Sequence, residues 1–197
     1  MSKKEQSALT KTRLFETALS LFKQRSYDEV TVSQICQAAG VAKGTFYVHY
    51  QGKEDIIHDS YYSDMGKFVL DHYKSWLAAN PAATEKEKIK VFLGTELSFT
   101  AFAGHEITCR AFVINLSRCI RKESQHFEQR LFTKTLHELI ASGRQNNVFS
   151  SPQTDDERFL YLESFVRGLM ASWCFANGSF SITAVGQKQI AELVDRL

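Results

Sequence analysis

A single glycine between two short helical patterns constrains this chain more than any other feature of its sequence. Thr31 stands directly before Val32 and three residues before Gln34. This is the spacing of a capping box, so we expect a helix to begin at Val32. Gly40 follows that helix, and glycine adopts without a Cβ penalty the positive φ that so short a reversal commonly needs. The pattern predicts a helix-turn-helix.

The two helices of this motif are expected to pack through apolar faces. The first presents Val32, Ile35, Ala38 and Ala39 inward, and the second, over about Lys43 to Tyr50, turns Phe46 and Tyr50 back onto it. The groups left outward are Lys43, Thr45, Tyr47 and His49, with Gly44 permitting close approach of a backbone. Lysine neutralises phosphate, hydroxyls bond phosphate oxygens, and a threonine methyl can contact thymine. The second helix therefore has the chemistry of a DNA recognition helix.

Lys53 adds to this interpretation because it opens the next predicted helix. A cation at a helix N-terminus opposes the macrodipole. A DNA phosphate nearby would resolve that conflict. The alternative is an ordinary solvated lysine, and the residues alone leave both open.

Residues 8 to 58 resemble the DNA-binding domain of the tetracycline-repressor (TetR) family of transcriptional regulators. The residues that carry the resemblance are Leu14, Ala18, Leu21, Phe22, Thr31-Val32, Ile35, Ala38-Ala39-Gly40-Val41, Lys43-Gly44-Thr45-Phe46-Tyr47, His49-Tyr50 and Lys53-Glu54. The resemblance implies phosphate contacts from Thr31, Tyr47, His49 and Lys53, with Lys43, Gly44 and Thr45 nearest the bases. One residue departs from the family pattern: Ala42 stands where Ser or Thr is common, and losing a hydroxyl cap costs a helix about 1 kcal/mol.

The rest of the chain predicts helix after helix, so the expected fold class is all-α. We expect a helix-turn-helix DNA-binding domain of three helices at residues 1–53 and a helical ligand-binding and dimerisation domain at residues 54–197. The predicted helices of the second domain are Lys53 to Ala79, Thr84 to Ala103, His105 to Arg121, Ser124 to Ser142 closed by Gly143, Asp155 to Ala176 and Thr183 to Arg196.

Two stripes run along the predicted helix from Asp155 to Ala176. One is apolar and consists of Phe159, Leu162, Val166, Leu169 and Trp173; the other, the small-residue stripe, consists of Ser164, Gly168 and Ser172. The apolar stripe can be simple core, while the small residues would let a partner helix approach closely. In the last predicted helix, Ile190, Leu193 and Val194 can likewise face either the core or a partner subunit. The resemblance implies a four-helix homodimer interface from these segments, and a dimer places two recognition helices about 34–36 Å apart.

Large aromatic residues are frequent in the middle of the chain: Trp76, Phe92, Phe99, Phe102, Phe112 and Phe127. The residues alone favour an ordinary core. The resemblance implies a small-molecule effector pocket, for which the candidate residues are Phe99, Phe102, Cys109, Phe112 and Trp173. The identity of the effector, and whether it releases or promotes DNA binding, stay open.

The four cysteines, Cys36, Cys109, Cys119 and Cys174, are far apart and form no CxxC pair. Disulfides and a zinc finger are therefore not expected, and packed cysteines are the usual outcome. His105 and Cys109 are four residues apart, but no second ligand pair accompanies them, so we expect no metal and no cofactor. A redox-sensing thiol remains an open alternative.

Charge and motifs narrow the class of function. The net charge is +2, and residues 1–53 carry an excess of positive charge where phosphate attraction requires it. The chain contains no Gly-rich phosphate loop, GxSxG or HExxH, so no enzyme is expected. With no apolar membrane span and no secretory signal at its start, it is expected in the cytoplasm without a membrane partner.

The sequence thus predicts a regulator, expected to be a repressor, that binds a palindromic operator in double-stranded DNA as a homodimer under control of a small molecule. The alternative is a helical interaction protein that has lost specific DNA binding. The operator and the regulated genes are beyond what the residues determine.

Overall fold

A computed structural model describes residues 2–121 and 131–197, with the backbone alone at residues 59, 60 and 62–64. Every element in these ranges is a helix, which confirms the predicted all-α class. The helices are α1 (Lys3–Gln24), α2 (Val32–Ala39), α3 (Lys43–His49), α4 (Lys53–Asp55), a π-helical turn (Ile56–Ser60), α5 (Tyr61–Ala79), α6 (Glu85–Ala103), α7 (His105–Ile120), α8 (Leu131–Gln145), α9 (Asp155–Phe175) and α10 (Ile182–Asp195).

The helix-turn-helix forms for the local reasons that the sequence indicates. The Thr31 N–H donates to Gln34 Oε1 at 2.8 Å, and the Gln34 N–H donates to Thr31 Oγ1 at 3.3 Å. Helix α2 then ends at Gly40, whose φ of 64° and ψ of 39° are left-handed. The predicted capping box and glycine turn are both confirmed.

The inner face of α2 differs from the prediction at one position. Ile35, Cys36 and Ala39 are buried, whereas Ala38 is exposed. Val32, Ile35, Cys36 and Ala39 follow the i, i+3, i+4, i+7 spacing of one helix face, and Ala38 lies off it. The assignment of Ala38 to the core was wrong for this reason.

The predicted helix from Lys53 to Ala79 is interrupted by the π-helical turn. A π-helical turn rotates the residues that follow it relative to a regular α-helix. Here the adjacent residues Ile56 and Ile57 are both buried, and the turn packs against α1 and α7. The chain is helical from Lys53 to Ala79, the predicted bounds; the π-helical turn within them is a local change of hydrogen-bond register that apolar spacing alone does not reveal.

Helix α6 is the centre of the second half of the fold. It packs against α5, α7, α8, α9 and most extensively α10. Capping boxes at Thr84 with Glu87, and at Thr154 with Glu157, begin α6 and α9. Among the described helices, none is long and apolar enough to cross a membrane.

Helix α8 continues through Gly143 to Gln145 instead of ending at the glycine. A Cβ at Gly143 would lie 2.5 Å from Phe149 Cζ, so the glycine makes room for the chain to return over the helix rather than stopping it. The prediction that Gly143 closes this helix was wrong. Its predicted start at Ser124, and Phe127, lie outside the described residues.

Candidate nucleic-acid interface

Helix α3 is fixed to the rest of the helix-turn-helix by its inner face. Phe46 and Tyr50 are buried, with their ring centroids 5.7 Å apart. The Tyr50 hydroxyl donates to the Lys11 carbonyl oxygen at 3.4 Å, which ties the end of α3 to α1. These two aromatic side chains pack inward as the sequence predicts, and they set which side of α3 faces solvent.

The opposite face of α3 is open to solvent. Lys43, Gly44 and Tyr47 are exposed, and Thr45 and His49 are partly exposed. The N-cap residue Ala42 makes no side-chain cap hydrogen bond. The first N–H groups of this helix therefore lack a side-chain acceptor from Ala42, which leaves donors where a phosphate oxygen can accept.

Val48 is a member of the exposed face that sequence reasoning missed. It is 78% exposed, more than its neighbour Tyr47 at 58%. An apolar residue inside a short helix is ordinarily assigned to the core. Only the docking of Phe46 and Tyr50 places Val48 outward, where its methyl groups can contact a thymine methyl or a sugar.

Two predicted phosphate ligands already have partners within the protein. The Thr31 hydroxyl donates to Gln34 Oε1 at 3.0 Å. Lys53 Nζ donates to the carbonyl oxygens of Tyr27 at 2.6 Å and Val30 at 3.0 Å. These carbonyls resolve the conflict between the Lys53 charge and the helix macrodipole. The structure thus offers a third explanation for Lys53, beside a phosphate and bulk solvent, and its phosphate contact stays a prediction.

The Tyr27 side chain lies between two cations. Lys53 Nζ is 4.1 Å and Arg110 Cζ is 4.0 Å from the centroid of its ring. The ring is buried, and burial together with the Glu54 carboxylate raises the pKa of the Tyr27 phenol. Cation–π contacts contribute about 0.5–2 kcal/mol each, more where the partners are desolvated. Tyr27 therefore joins the helix-turn-helix to α4 and α7.

Helix α7 holds the loop that carries Tyr27 through a hydrogen bond to the loop backbone and through an ion pair. The Tyr27 N–H donates to the Glu106 carboxylate at 3.2 Å. Arg110 Nη2 donates to Asp28 Oδ2 at 2.8 Å and to Glu106 Oε1 at 3.1 Å. No local sequence signal points to these contacts, since Tyr27 and Glu106 are 79 residues apart.

A second contact joins α7 to the end of α4. Arg118 Nη2 donates to Asp55 Oδ1 at 3.1 Å. Helix α7 therefore contacts the N-terminal helices near both of its own ends. A displacement of α7 can therefore change the orientation of the helix-turn-helix through either of these two contacts.

A cleft of about 440 Å³, which we call the junction cleft, lies where α1, α5 and α6 meet. Its lining residues are Thr12, Phe15, Glu16, Leu19, Ser20, Lys23, Lys67, Phe68, Asp71, His72, Phe99 and Phe102. Two of the predicted effector residues, Phe99 and Phe102, are among them. Phe102 is 50% exposed, and Lys23 Nζ lies 3.8 Å from its ring centroid.

The other predicted effector residues lie elsewhere. Cys109 and Trp173 surround His105: its Nε2 is 3.4 Å from Cys109 Sγ, and its ring meets the Trp173 ring edge-on at 5.5 Å. Phe112 is partly buried against the core. The structure thus divides the five candidates between the junction cleft, the surroundings of His105 and the core. Within the described residues, no three His, Cys, Asp or Glu side chains are grouped to hold a metal.

The small-residue stripe lies on the outside of the protomer. Ser164, Gly168 and Ser172 are exposed. They line a groove of about 530 Å³, together with Phe165, Leu169, Phe180, Val185 and Gln189. On the apolar stripe Phe159, Leu162, Val166 and Trp173 are buried, and Leu169 is partly buried. The stripes therefore divide as one inward and one outward face.

Two predicted interface residues of α10 are not available to a partner. Ile190 and Val194 are buried, whereas Leu193 is partly exposed. Helix α10 packs along α6, and this contact uses the face that carries Ile190 and Val194. The expectation that Ile190 and Val194 face a partner is therefore wrong, while an interface through the small-residue stripe and Leu193 stays a prediction.

Comparisons with known proteins agree with this geometry. Residues 14–59 match the family described as "Bacterial regulatory proteins, tetR family". Over 193 residues the chain is 27% identical to YerO of Bacillus subtilis (strain 168), an HTH-type transcriptional regulator. The alignment covers 95% of this chain and 63% of YerO, so the chain spans less than two thirds of that relative's length. The matched family and YerO are both described as regulators. This agrees with the expectation that the chain is not an enzyme.

Solved structures share the fold. The fatty acid degradation regulator FadR from Bacillus halodurans superposes with a TM-score of 0.69, at 21% identity and 93% coverage of both chains. FadR from Bacillus subtilis, solved in complex with stearoyl-CoA, has a TM-score of 0.64 at 20% identity, covering 94% of this chain and 98% of that one. The similarity extends over the N-terminal helices and the C-terminal helices together.

The contacts of Lys53 predict that it differs from Lys43 in its effect on stability. Lys53→Ala removes two charge-assisted hydrogen bonds and should lower the free energy of unfolding by about 2 kcal/mol, or roughly 5 °C in the melting temperature. Lys43→Ala, the matched exposed lysine, should change the free energy of unfolding by less than about 0.5 kcal/mol. Thermal and urea unfolding of the two variants measure this. Equal free energies of unfolding for the two variants would show that the hydrogen bonds from Lys53 Nζ to the Tyr27 and Val30 carbonyl oxygens do not stabilise the fold.

Proposed function

The chain belongs to the TetR family of bacterial regulatory proteins, and on that premise we propose that it is a transcriptional regulator that inserts α3 into the major groove of DNA. The observation that carries the proposal is the division of α3 into two faces. Phe46 and Tyr50 hold its inner face on α1 and α2, while Lys43, Gly44 and Tyr47 stay exposed. A short, rigidly held helix with a polar outer face suits groove entry.

The proposed roles of the DNA-binding residues follow their positions. Lys43, Gly44 and Thr45, at the exposed start of α3, approach the bases. Tyr47, His49 and Thr31 contact phosphates. Lys53 acts chiefly by positioning the loop that carries Tyr27, because its ammonium is already hydrogen-bonded to two carbonyls. In this proposal residues 1–53 form the DNA-binding part and residues 54–197 the regulatory part.

We propose that two copies of the chain pair through the small-residue stripe. Gly168 has nothing within 4 Å of the position a Cβ would take, and the groove beside it has room for side chains of a second α9 and α10. Two-fold pairing through one such face is self-complementary. A dimer presents two copies of α3 to one face of DNA, so its operator is palindromic, and a dimer seated on a promoter represses transcription.

We propose that an effector acts at the junction cleft. The walls of this cleft belong to both halves of the molecule, since α1 is the first helix of the DNA-binding part and α5 and α6 belong to the regulatory part. Its floor is aromatic, and Lys23, Lys67, Glu16 and Asp71 stand at its rim. A small molecule with an apolar body and a polar end fits this chemistry. A ligand that binds better to one α1 orientation shifts the population of DNA-competent dimers.

The DNA-binding proposal predicts enrichment of one palindrome. The purified protein is mixed with random duplex DNA at near-physiological salt, and the bound fraction is selected and sequenced. Affinity for the enriched sequence should exceed that for random DNA by at least about a thousandfold. A folded dimer that enriches nothing would favour the interaction-protein alternative.

Substitutions in α3 should separate base contacts from phosphate contacts. Thr45→Ala should change the base preference at one position per half-site and cost about 1–3 kcal/mol there. Tyr47→Phe removes only a hydroxyl that is assigned to a phosphate, so it should weaken binding to all sequences alike. The measurement is the selection profile of each variant. Identical profiles for Thr45→Ala and Tyr47→Phe would contradict the assignment.

The dimer proposal predicts that Gly168→Leu separates the subunits without harming the protomer. A leucine there meets open space within the chain and should raise helix stability by up to about 1 kcal/mol. Gly94→Leu is the matched control, since Gly94 lies within α6 and likewise has nothing within 4 Å of its Cβ position. Sedimentation equilibrium should show a monomer for Gly168→Leu and a dimer for Gly94→Leu. A dimer in both variants would exclude close approach at Gly168.

The cleft proposal predicts a ligand whose binding is linked to DNA affinity. A panel of aliphatic and aromatic acids and amines is tested by thermal shift, where a ligand at a hundred times its Kd stabilises by about 2.7 kcal/mol. Ser20→Trp, which fills the cleft from α1, should abolish the shift. Phe180→Ala, in the groove on α9 and α10, should preserve it. Equal responses of both variants would place the effector outside the junction cleft.

A further inference from the structure

We propose that Asp55 is a positioning residue that holds the recognition helix α3 in a fixed orientation to α7, and thereby determines the half-site spacing that the dimer accepts. This inference rests on the proposed function, because half-site spacing has meaning only for a dimer that binds DNA. The hydrogen bonds of Asp55 do not depend on the proposed function.

The Asp55 carboxylate spans the joint between the recognition helix and the rest of the molecule. Its Oδ2 accepts a hydrogen bond from the Gln51 N–H at 2.8 Å, and its Oδ1 accepts one from Arg118 Nη2 at 3.1 Å. Gln51 directly follows Tyr50, the C-cap of α3, and Arg118 lies in the last turn of α7. One side chain therefore connects the end of the recognition helix to α7.

The joint itself is short. Gln51 and Gly52 alone separate the C-cap of α3 from the first residue of α4. Among the described residues, no atom lies within 4 Å of the position a Cβ of Gly52 would take. The side chains of Asp55 and Arg118 are each only 23% exposed, so salt screens their attraction less than that of an open surface pair. The Asp55 carboxylate therefore restrains a joint to which Gly52 contributes no side-chain contact.

Helix α7 holds the helix-turn-helix at two separate points. Its first turns contact the loop before α2 through Glu106 and Arg110, and its last turn contacts the residue after α3 through Arg118 and Asp55. Arg110 and Arg118 are eight residues apart, which is about 12 Å along a helix axis. A body held at two separated points keeps its orientation, whereas a body held at one point can pivot around it.

Removal of the carboxylate should free α3 without detaching α4. Ile56 and Ile57, which directly follow Asp55, are buried in the π-helical turn that packs against α7. This packing does not use the carboxylate, so the turn should stay in place when Asp55 is replaced. The fold of the helix-turn-helix is held by Phe46 and Tyr50, which are buried. The expected result is therefore an intact recognition helix whose tilt relative to α7 is less restricted.

In the proposed dimer, the tilt of α3 determines the distance between the two recognition helices. Helix α7 packs against α9, which carries the small-residue stripe, so one path from the subunit contact to α3 runs through α9, α7 and Asp55. Two recognition helices enter successive major grooves when they lie about 34–36 Å apart. One base pair changes this distance by about 3.4 Å. A displacement of α3 by that amount is enough to change the preferred spacing.

The test selects each protein on random duplex DNA and reads the number of base pairs between the two half-sites. The unsubstituted protein should enrich its half-site at one spacing. Asp55→Ala removes both hydrogen bonds, so it should enrich the same half-site at more than one spacing. Its affinity for the parental palindrome should fall about tenfold, within the usual range of coupling between sites. Base preference within each half-site should not change, because the outer face of α3 is unaltered.

Two arginine variants separate this role from a general loss of an ion pair. Arg118→Met removes the contact to α7 but leaves the Gln51 N–H on Asp55, and it should also broaden the spacing. Arg144→Met is the matched control, because Arg144 Nε donates to Asp155 Oδ2 at 2.9 Å in a pair that joins α8 to α9. This control should keep a single spacing. Broadening in Arg144→Met as large as in Arg118→Met would overturn the inference.

Amide hydrogen exchange, measured by NMR, tests the joint without DNA. Gln51 is exposed, and its N–H donates to Asp55, so the exchange rate of this amide reports the hydrogen bond. The Gln51 amide should exchange about tenfold faster in Asp55→Ala. The Phe46 amide, which donates to the Ala42 carbonyl oxygen, is the internal reference and should keep its rate. An unchanged Gln51 rate would show that Asp55 does not hold the joint.

Failure of this inference can be told from failure of the proposed function. An unsubstituted protein that enriches no palindrome would refute the proposed function and, with it, the role in spacing, while the exchange of the Gln51 amide still decides whether Asp55 holds the joint. A single unchanged spacing in both Asp55→Ala and Arg118→Met would overturn the inference even if affinity fell, because a merely structural role lowers affinity without changing the spacing. If Asp55→Ala does not fold, Arg118→Met gives the decision.

Discussion

The position of the Tyr27 ring between Lys53 and Arg110 is the contact on which the rest of this structure depends. It joins the loop after α1, the start of α4 and the first turns of α7. The ring is buried while both cations keep access to water, so the contact combines apolar burial with attraction to the ring face. The surface ion pair between Arg110 and Asp28 adds little free energy by itself. Its effect is to set the orientation of the guanidinium over the ring.

Helix α7 therefore lies between the DNA-binding part and the regulatory helices. One of its faces carries Glu106 and Arg110 toward Tyr27, and another carries His105 and Cys109 toward α9. The junction cleft reaches the same N-terminal helices by a different route, through α1. A ligand bound in the junction cleft would bias the orientation of the N-terminal helices through α1.

The outer face of α9 has the opposite character from its inner face. Inward, large apolar side chains fill the core, while outward Ser164, Gly168 and Ser172 leave a shallow groove beside α10. Small residues contribute little to the stability of a single subunit, yet they allow two helix backbones to come close. In the proposed dimer this face bears on the function, because the distance between the two recognition helices depends on how the subunits pair.

Local sequence determined much of this protein. The capping boxes, the left-handed Gly40 and the inward turn of Phe46 and Tyr50 each depend on residues within a few positions of one another, so the helix-turn-helix and its outer face were predictable. Other features depend on partners far along the chain. The carbonyls that bind Lys53, the burial of Ile190 and Val194, the exposure of Val48 and the contact of the His105 imidazole with the Cys174 carbonyl were decided only when the helices packed. Periodicity shows that a residue lies on an apolar or polar face, but which neighbour covers that face is set by the tertiary structure.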